Sequence, residues 1–274
     1  MSFIPFGLEL KAQLAFGTVL WMGVWWVTLP VHPAITAFLP VIINALFSLT
    51  DMGTVIKSYS AELIFLLAGA DIITMAWEAT GVDKLIAASG LRLVGTSVKQ
   101  QVAVWFLLST VLSSVLPNTV VAAILCSIAM SMLKFVGEGD VKNSSVAPLI
   151  LMSIVWGANN GGMLTPLGGA MNLITVSHIE GLIGGEFMYS DWVVQLLPFG
   201  IVVTVITLAA LLLIKTDKKH LDGSKEYFND LLRSMPKLST AGKLSLASFV
   251  LATGLSFTRQ FYQSYIPELK PGFI

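Results

Sequence analysis

Apolar residues run in long blocks along this chain, and short polar or charged segments separate the blocks. A helix needs about 20 apolar residues to cross a hydrocarbon layer of roughly 30 Å. The pattern therefore predicts crossing helices at five places: residues 14–31, 33–49, 61–78, 192–214 and 243–257.

Two blocks depart from this pattern because polar residues interrupt them. Residues 102–133 form two apolar arms of about 15 residues on either side of Pro117-Asn118-Thr119. Each arm is only roughly 22 Å long as a helix, which favours a re-entrant hairpin with both ends on one side of the membrane. A further crossing over 146–182 is interrupted by GANNGGMLTPLGGAMN, residues 157–172, which predicts an unwound helix.

Two other segments have charges along one side and apolar residues along the other. Residues 82–99, VDKLIAASGLRLVGTSVK, predict a helix that lies on the membrane surface. Residues 215–237 predict a charged cytoplasmic helix with Phe228, Leu231 and Leu232 on its membrane side.

Composition supports a multi-pass protein of the cell membrane. Hydrophobic residues make up 55% of the 274 residues and charged residues 12%, against about 25% charged in a soluble domain. Lys+Arg and Asp+Glu both total 16, which argues against a nucleic-acid partner, since phosphates call for a basic excess. The sequence has no hydrolase or metal-binding signature, so we expect neither an enzyme nor a bound metal.

The distribution of Lys and Arg predicts the orientation. With a re-entrant hairpin, twelve of these residues lie on one side and four on the other, so the hairpin opens to the cytoplasm. Residue 1 then lies outside. Because an unsignalled N-terminus is more easily left inside, a further helix is expected to precede the chain.

The Pro-Asn-Thr corner allows two interpretations. It is a simple helix stop and N-cap, or it is a binding site, because backbone groups unpaired at membrane depth are costly unless they bind something. The helix beginning near Thr119 directs free N–H groups towards an anion, and the arm ending near Leu116 offers carbonyl groups to a cation. Two broken elements close in sequence are typical of secondary transporters, whereas glycine used only for helix packing is the alternative.

Three blocks make the chain similar to the divalent anion:sodium symporter (DASS) family, the di- and tricarboxylate transporters of the ion transporter superfamily. LPNTVVAAI resembles the family's Ser-Asn-Thr hairpin motif. GGMLTPLGGAMNLI resembles its glycine-rich segment ending in Thr/Ser-Pro-Pro-Asn, and LIFLLAGADIITMAWEATGVDKLIA resembles its Phe-Leu-Gly-Gly helix followed by Thr-Gly-Leu-x-Lys.

The resemblance implies an all-α, inverted-repeat transporter, usually a homodimer surrounded by membrane lipid, in which a transport domain moves like an elevator against a scaffold. It places substrate carboxylate binding on Asn118, Thr119, Gly168, Gly169 and Asn172. It places a candidate Na⁺ site on Ser113, Ser114, Asn118 and Gly168, with Gly169 also near it. We expect no other cofactor.

These implications give a division of the chain. Scaffold-type helices occupy residues 1–78, the surface helix 79–101, the transport-domain part 102–191, a transmembrane helix 192–214, the linker helix 215–240 and the start of a second repeat 241–274. The second repeat would complete the substrate site, so we expect this chain to be part of a longer protein.

Two departures from the family pattern bear on coupling. The motif's first serine is Pro117 here, and Gly169-Ala170-Met171 replaces Thr/Ser-Pro-Pro. Because Na⁺ needs several oxygen ligands, the lost hydroxyls favour exchange of C4–C5 dicarboxylates such as succinate, malate, fumarate or oxoglutarate over sodium symport. Sodium-coupled di- or tricarboxylate symport remains the alternative, followed by transport of metal-citrate or arsenite, a membrane enzyme and a packing protein.

Overall fold

The computed structural model describes residues 8–60, 62–271 and 274, which form helices joined by turns and loops, with one isolated β-bridge. The chain divides into two compact units, Met1–Phe65 and Leu66–Ile274. The helices are α1 (Leu10–Thr28), α2 (Pro33–Ala37), α3 (Leu39–Phe47), α4 (Met52–Ser58), α5 (Glu62–Thr80), α6 (Val82–Gly90), α7 (Val98–Ser113), α8 (Asn118–Phe135), α9 (Ala147–Gly162), α10 (Ala170–Ile183), α11 (Tyr189–Leu213), α12 (Ser224–Ser234), α13 (Thr240–Phe257) and α14 (Arg259–Tyr262).

Three of the described helices, α8, α11 and α13, are long and apolar enough to cross a membrane. The last two coincide with predicted crossings. Helix α1 ends at Thr28, three residues before the predicted end, because Leu29 adopts a left-handed conformation with φ 50°. The predicted crossing over 33–49 is divided between α2 and α3. Together they form an apolar segment that is shorter than the three long helices. The predicted crossing over 61–78 corresponds to α5, and its first residue, Ala61, lies outside the described residues.

Helices α7 and α8 form a helical hairpin, with four residues between Ser113 and Asn118. Both arms are longer than expected, with 16 and 18 residues. Helix α7 begins at Val98 rather than 102 because the Val98 N–H donates to the Lys219 carbonyl at 2.9 Å. Helix α8 continues past Leu133 to Phe135, and Lys134 in its last turn complements the negative end of the helix dipole. Whether the hairpin is re-entrant stays a prediction.

The hydrophobic core of the second unit lies where α7 and α8 pack against α9. Trp105, Phe106, Leu125, Ile150 and Ile154 are fully buried there. The α7–α9 contact is the most extensive between any two described helices, and glycine permits it. A methyl group on Gly157 would lie 2.3 Å from the Phe106 carbonyl oxygen, and one on Gly161 would lie 2.0 Å from that of Thr110.

The crossing over 146–182 is interrupted, as predicted, but over fewer residues. Residues 157–162 remain helical as the end of α9. The break covers only the residues between Gly162 and Ala170 and contains a short 3₁₀ turn, Pro166–Gly168. Gly157 and Gly161 therefore serve helix packing, and the site interpretation applies to the glycines that follow them.

Helix α6 does not present its apolar side to a membrane surface, contrary to the prediction. Val82, Ala87 and Leu91 are buried in the core, and α6 contacts α8 and α12. Periodicity identified the apolar side correctly, but it could not tell protein from lipid as the partner.

The same correction applies to α12. Phe228 is 2% exposed, and its ring centroid lies 5.8 Å from that of Trp105 in the hairpin. Leu231 packs against the same core, and Leu232 is half-buried. The apolar side of α12 therefore packs on the base of the hairpin instead of facing the membrane.

The segment before α12 is also tied to this base. Ser97 and His220 form an antiparallel bridge, and Leu221 donates to the Thr96 carbonyl at 2.7 Å. Between α8 and α9, the buried Glu138 carboxylate forms an ion pair with Lys218 and accepts the Ser144 hydroxyl. The Lys218 ammonium and then the Ser144 hydroxyl hold the pKa of Glu138 below its ordinary value, against the opposing effect of burial.

The helix packing gives a first prediction. Gly161→Ala should lower the free energy of unfolding by about 1–3 kcal/mol, because its methyl group would overlap the Thr110 backbone. Gly181→Ala in α10 is the matched control, since nothing lies within 4 Å of the added carbon. Thermal unfolding in detergent measures both, and equal Tm values for the two variants would contradict the packing account.

The Glu138 ion pair gives a second prediction. A lowered pKa means that its stabilisation is present above the unfolded value of about 4.3 and is lost as pH falls through the folded value. Glu138→Gln should therefore destabilise the protein at pH 7, by about 1 kcal/mol or less because Lys218 is mostly exposed. The Tm difference from the parent should shrink as pH falls below about 4, and a difference independent of pH would refute this role.

Candidate functional site

The polar side chains at the tip of the hairpin do not cap helix α8. Helix α8 begins at Asn118, with Pro117 as the N-cap residue and no side-chain cap. The Pro117 carbonyl accepts from the N–H groups of Val120 and Val121 at 3.0 and 3.2 Å. The helix-stop interpretation, in which the polar side chains cap the backbone, therefore does not explain Asn118 and Thr119.

One side chain ties the break after α9 to this tip, and a second closes the break on itself. The Thr165 hydroxyl donates to the Ser114 carbonyl. Asn172, near the start of α10, donates from Nδ2 to the carbonyls of Gly162 at 2.6 Å and Thr165 at 2.8 Å. A helix that ends leaves its last carbonyl groups without intrahelical donors. The side chains of Thr165 and Asn172 supply donors to carbonyl groups beside the two interruptions.

Gly162 and Gly168 lie where the two breaks meet. A methyl group on Gly168 would lie 2.5 Å from the Gly162 carbonyl oxygen and 2.8 Å from that of Ser113. One on Gly162 would lie 3.3 Å from the Gly168 carbonyl oxygen, 3.5 Å from Asn118 Cβ and 3.6 Å from Ser113 Oγ. The absence of side chains at both positions lets the broken helix approach the hairpin closely, and it brings the carbonyl oxygens of Ser113, Gly162 and Gly168 near one another.

Ser113 contributes an unpaired hydroxyl to this junction. The residue is fully buried, and within the part of the chain that the structure describes its Oγ has no hydrogen-bond partner. A buried hydroxyl without a partner costs roughly 1–3 kcal/mol. Such an atom marks a place where a ligand would restore the missing interaction.

The electrostatics of the junction have two parts. Helices α7 and α9 end at Ser113 and Gly162, so the negative ends of two helix dipoles meet at Gly168. Helices α8 and α10 begin beside the same junction, and their first N–H groups form positive ends. The arrangement can bind a cation among the carbonyls and an anion at the helix N-termini.

The structure brings most of the predicted site residues together, but these residues differ in burial and in the atoms around them. Ser113, Asn118 and Gly168 lie around Gly162, and Thr119, next to Asn118 in the chain, is exposed. A methyl group on Gly169 would lie 3.9 Å from both the Gly162 carbonyl oxygen and Asn172 Nδ2.

Two predicted residues have their polar groups engaged within the protein. The Ser114 hydroxyl donates to the Val111 carbonyl at 2.7 Å, and its carbonyl accepts from Thr165. Asn172 holds the break together through Nδ2, and its Oδ1 remains for other donors.

Three residues of the junction are not among the site residues predicted from the sequence: Asn159, Gly162 and Thr165. Gly162 and Thr165 stood in the glycine-rich segment, but nothing in their spacing separates them from the packing glycines. Asn159 Oδ1 accepts from Asn118 Nδ2 at 3.4 Å, a contact between residues 41 positions apart that one sequence does not reveal.

Comparison with known proteins identifies a family and relatives of this chain. A model of the citrate transporter family matches residues 23–267. The chain is 26% identical over 290 residues to the sodium-dependent dicarboxylate transporter SdcS of Staphylococcus saprophyticus, covering 100% of this chain and 55% of that protein. It is 25% identical over 269 residues to SdcS of Staphylococcus aureus, covering 95% and 52%. The chain thus spans about half the length of the curated relatives it matches.

These matches confirm the resemblance to di- and tricarboxylate transporters, and they name transporters, not enzymes. Together with the long apolar helices, they indicate a multi-pass protein of the cell membrane. Since the family match extends over most of the chain, the protein belongs to the citrate transporter family.

Proposed function

We propose that the protein is a secondary transporter of dicarboxylates that couples their uptake to sodium, with the cation bound where the two helix breaks meet. The observation that carries this proposal is the buried, unpaired Ser113 hydroxyl beside converging carbonyl groups. The two relatives are named sodium-dependent dicarboxylate transporters, which supports the same class of substrate and the same coupling ion.

The residues at the junction fit a sodium ion. Sodium is a hard cation that prefers oxygen ligands, and unwound helices in transporters supply them from carbonyl groups. Ser113 would contribute Oγ and its carbonyl, Gly162 its carbonyl, and Asn118 its amide oxygen. A bound cation would neutralise the negative ends of α7 and α9.

The anion would bind on the exposed side of the same junction. Within the described residues, the N–H groups of Asn118 and Thr119 donate no hydrogen bond, and the Thr119 side chain is exposed. A carboxylate can accept from both N–H groups and the hydroxyl at the positive end of α8. A dicarboxylate needs a second set of donors for its other end, which we assign to a second repeat in the complete protein.

Exchange of one dicarboxylate for another is the second candidate. Pro117 favours it, because proline removes the hydroxyl and the N–H donor that the family motif has at the tip. On the sequence alone exchange was the preferred mode. The unpaired Ser113 hydroxyl reverses this order, since exchange gives that buried group no ligand.

The remaining mechanism is also part of the proposal. The broken elements of Leu66–Ile274 would form the transport-domain half-site, and an elevator movement of this domain in a homodimer would expose the site to each side in turn. In transporters built from inverted repeats, one bundle moves against the other around a substrate site near the membrane midplane.

Uptake of labelled dicarboxylate by the full-length protein in liposomes tests the function. We expect an inward sodium gradient to drive uptake at least about tenfold above an equal potassium gradient, because the cation site adds the energy of sodium entry. Vesicles preloaded with unlabelled dicarboxylate, without sodium, should show little uptake. The reverse pattern would establish exchange and contradict sodium coupling.

Variants of two tip residues, compared with one control variant, link this activity to the site. Asn118→Ala and Thr119→Ala should each reduce uptake to background while leaving the protein inserted and monodisperse. Asn229→Ala, which changes an exposed amide on α12, should transport normally. Normal uptake by both tip variants would show that the substrate binds elsewhere.

A further inference from the structure

A buried ion pair joins the loop between α10 and α11 to the segment that follows α13. Arg259, the first residue of α14, is 3% exposed. Its Nε donates to Glu186 Oε1 at 2.8 Å and its Nη2 donates to Glu186 Oε2 at 3.1 Å, so both carboxylate oxygens are bound. The two residues are 73 positions apart in the chain. Of the ion pairs between described residues, this is the one whose cation is buried.

The Arg259 guanidinium is also held by its own segment of the chain. Nη1 donates to the Ile266 carbonyl at 2.8 Å, and Nη2 donates to the Pro267 carbonyl at 2.7 Å. The Tyr262 ring lies against the same group, with the guanidinium carbon 5.3 Å from the ring centroid. Arg259 is therefore a fixed part of the α14 end, and Glu186 binds it from another part of the chain.

The loop that carries Glu186 is tied to the broken helix. The Phe187 N–H donates to Glu180 Oε1 on α10 at 3.0 Å, and α10 begins beside the helix junction. A displacement of α10 relative to α13 and α14 therefore acts on the contact between Glu186 and Arg259.

This contact crosses the boundary at which the proposed elevator movement takes place. Helix α10 belongs to the transport-domain part, and α13 begins the second repeat. Inverted repeats place equivalent helices in equivalent roles, which makes α13 scaffold-type like the first helices of the chain. The neighbouring contact between the Tyr189 and Phe257 rings, with centroids 6.1 Å apart, joins the same two parts. Separation of the ion pair leaves the buried Arg259 charge without its partner, which is strongly unfavourable, so the pair favours the closed arrangement.

We propose that the Glu186–Arg259 ion pair is a conformational latch, which holds the broken helix against the start of the second repeat and opens when the transport domain moves. Ion pairs at domain interfaces are broken and remade in this way when two packed bodies move between discrete states. The inference rests on the proposed domain movement, and it does not depend on sodium coupling or on which dicarboxylate is carried.

Distances between two spin labels test the latch in the full-length protein in lipid nanodiscs. The labels replace Leu182 on α10 and Phe261 on α14, which are 87% and 71% exposed, in a background without other cysteines. The parent should populate the distance of this structure and a second distance that belongs to the displaced transport domain. Glu186→Gln has nearly the same shape but removes the charge that Arg259 needs in the closed state. It should lower the fraction of molecules at the first distance at least about twofold.

Two further variants show whether the ion pair itself is responsible. Glu180→Gln makes the same substitution at the other carboxylate of this loop and keeps an acceptor for the Phe187 N–H, so it should leave both fractions unchanged. In an Arg259→Gln background, Glu186→Gln should have no further effect, because the coupling between the partners is already absent. A shift with Glu180→Gln equal to that with Glu186→Gln would show that the charge pair is not the latch.

Thermal unfolding separates a latch from a static structural contact. A static contact predicts a lower Tm for Glu186→Gln with unchanged fractions at the two distances, and that result overturns the latch while the domain movement stands. If neither the parent nor Glu186→Gln shows a second distance, with or without dicarboxylate, the proposed movement fails and the latch fails with it.

Discussion

The Thr165 hydroxyl and the Asn172 amide hydrogen-bond to carbonyl groups of Ser114, Gly162 and Thr165, which lie beside two helix breaks. In an apolar environment each such carbonyl would otherwise cost several kcal/mol. Thr165 therefore satisfies a carbonyl of the hairpin, and Asn172 satisfies two carbonyls of the broken helix itself. Ser113 Oγ remains unpaired at their junction, which makes a bound ligand the simplest reason for this arrangement.

The rest of the second unit holds this junction in place. Gly157 and Gly161 bring α9 against the backbone of α7, so the ends of both helices reach the same point. At the other end of the hairpin, Phe228 of α12 packs on Trp105, and the 219–221 segment pairs with residues 96–98. These contacts fix the base of the hairpin and leave its tip to carry the site.

Much of this fold could be predicted from the sequence because its signals are local. Pro117 precedes the start of α8, and the segment between Gly162 and Ala170 interrupts an apolar block. The predictions failed where the partner of a surface is remote in sequence. Apolar sides of α6 and α12 were found correctly, but their partners are α8 and the hairpin rather than lipid. The Asn118–Asn159 contact and the different roles of Gly161 and Gly162 depend on the same long-range packing.

The claim that sodium binds at the junction beside Gly162 is tested most directly by thermal unfolding of the full-length protein in sodium chloride and in potassium chloride at equal ionic strength. A ligand that binds only the folded state raises Tm, because it increases the free energy of unfolding. The increase is about 2.7 kcal/mol when the ligand concentration is 100 times its Kd. We predict a sodium-specific rise for the parent protein and its loss in Gly162→Ala, whose methyl group would occupy the space between Ser113 and Asn118, and in Ser113→Ala. Equal Tm values in the two salts for the parent, or an undiminished sodium effect in both variants, would contradict the account.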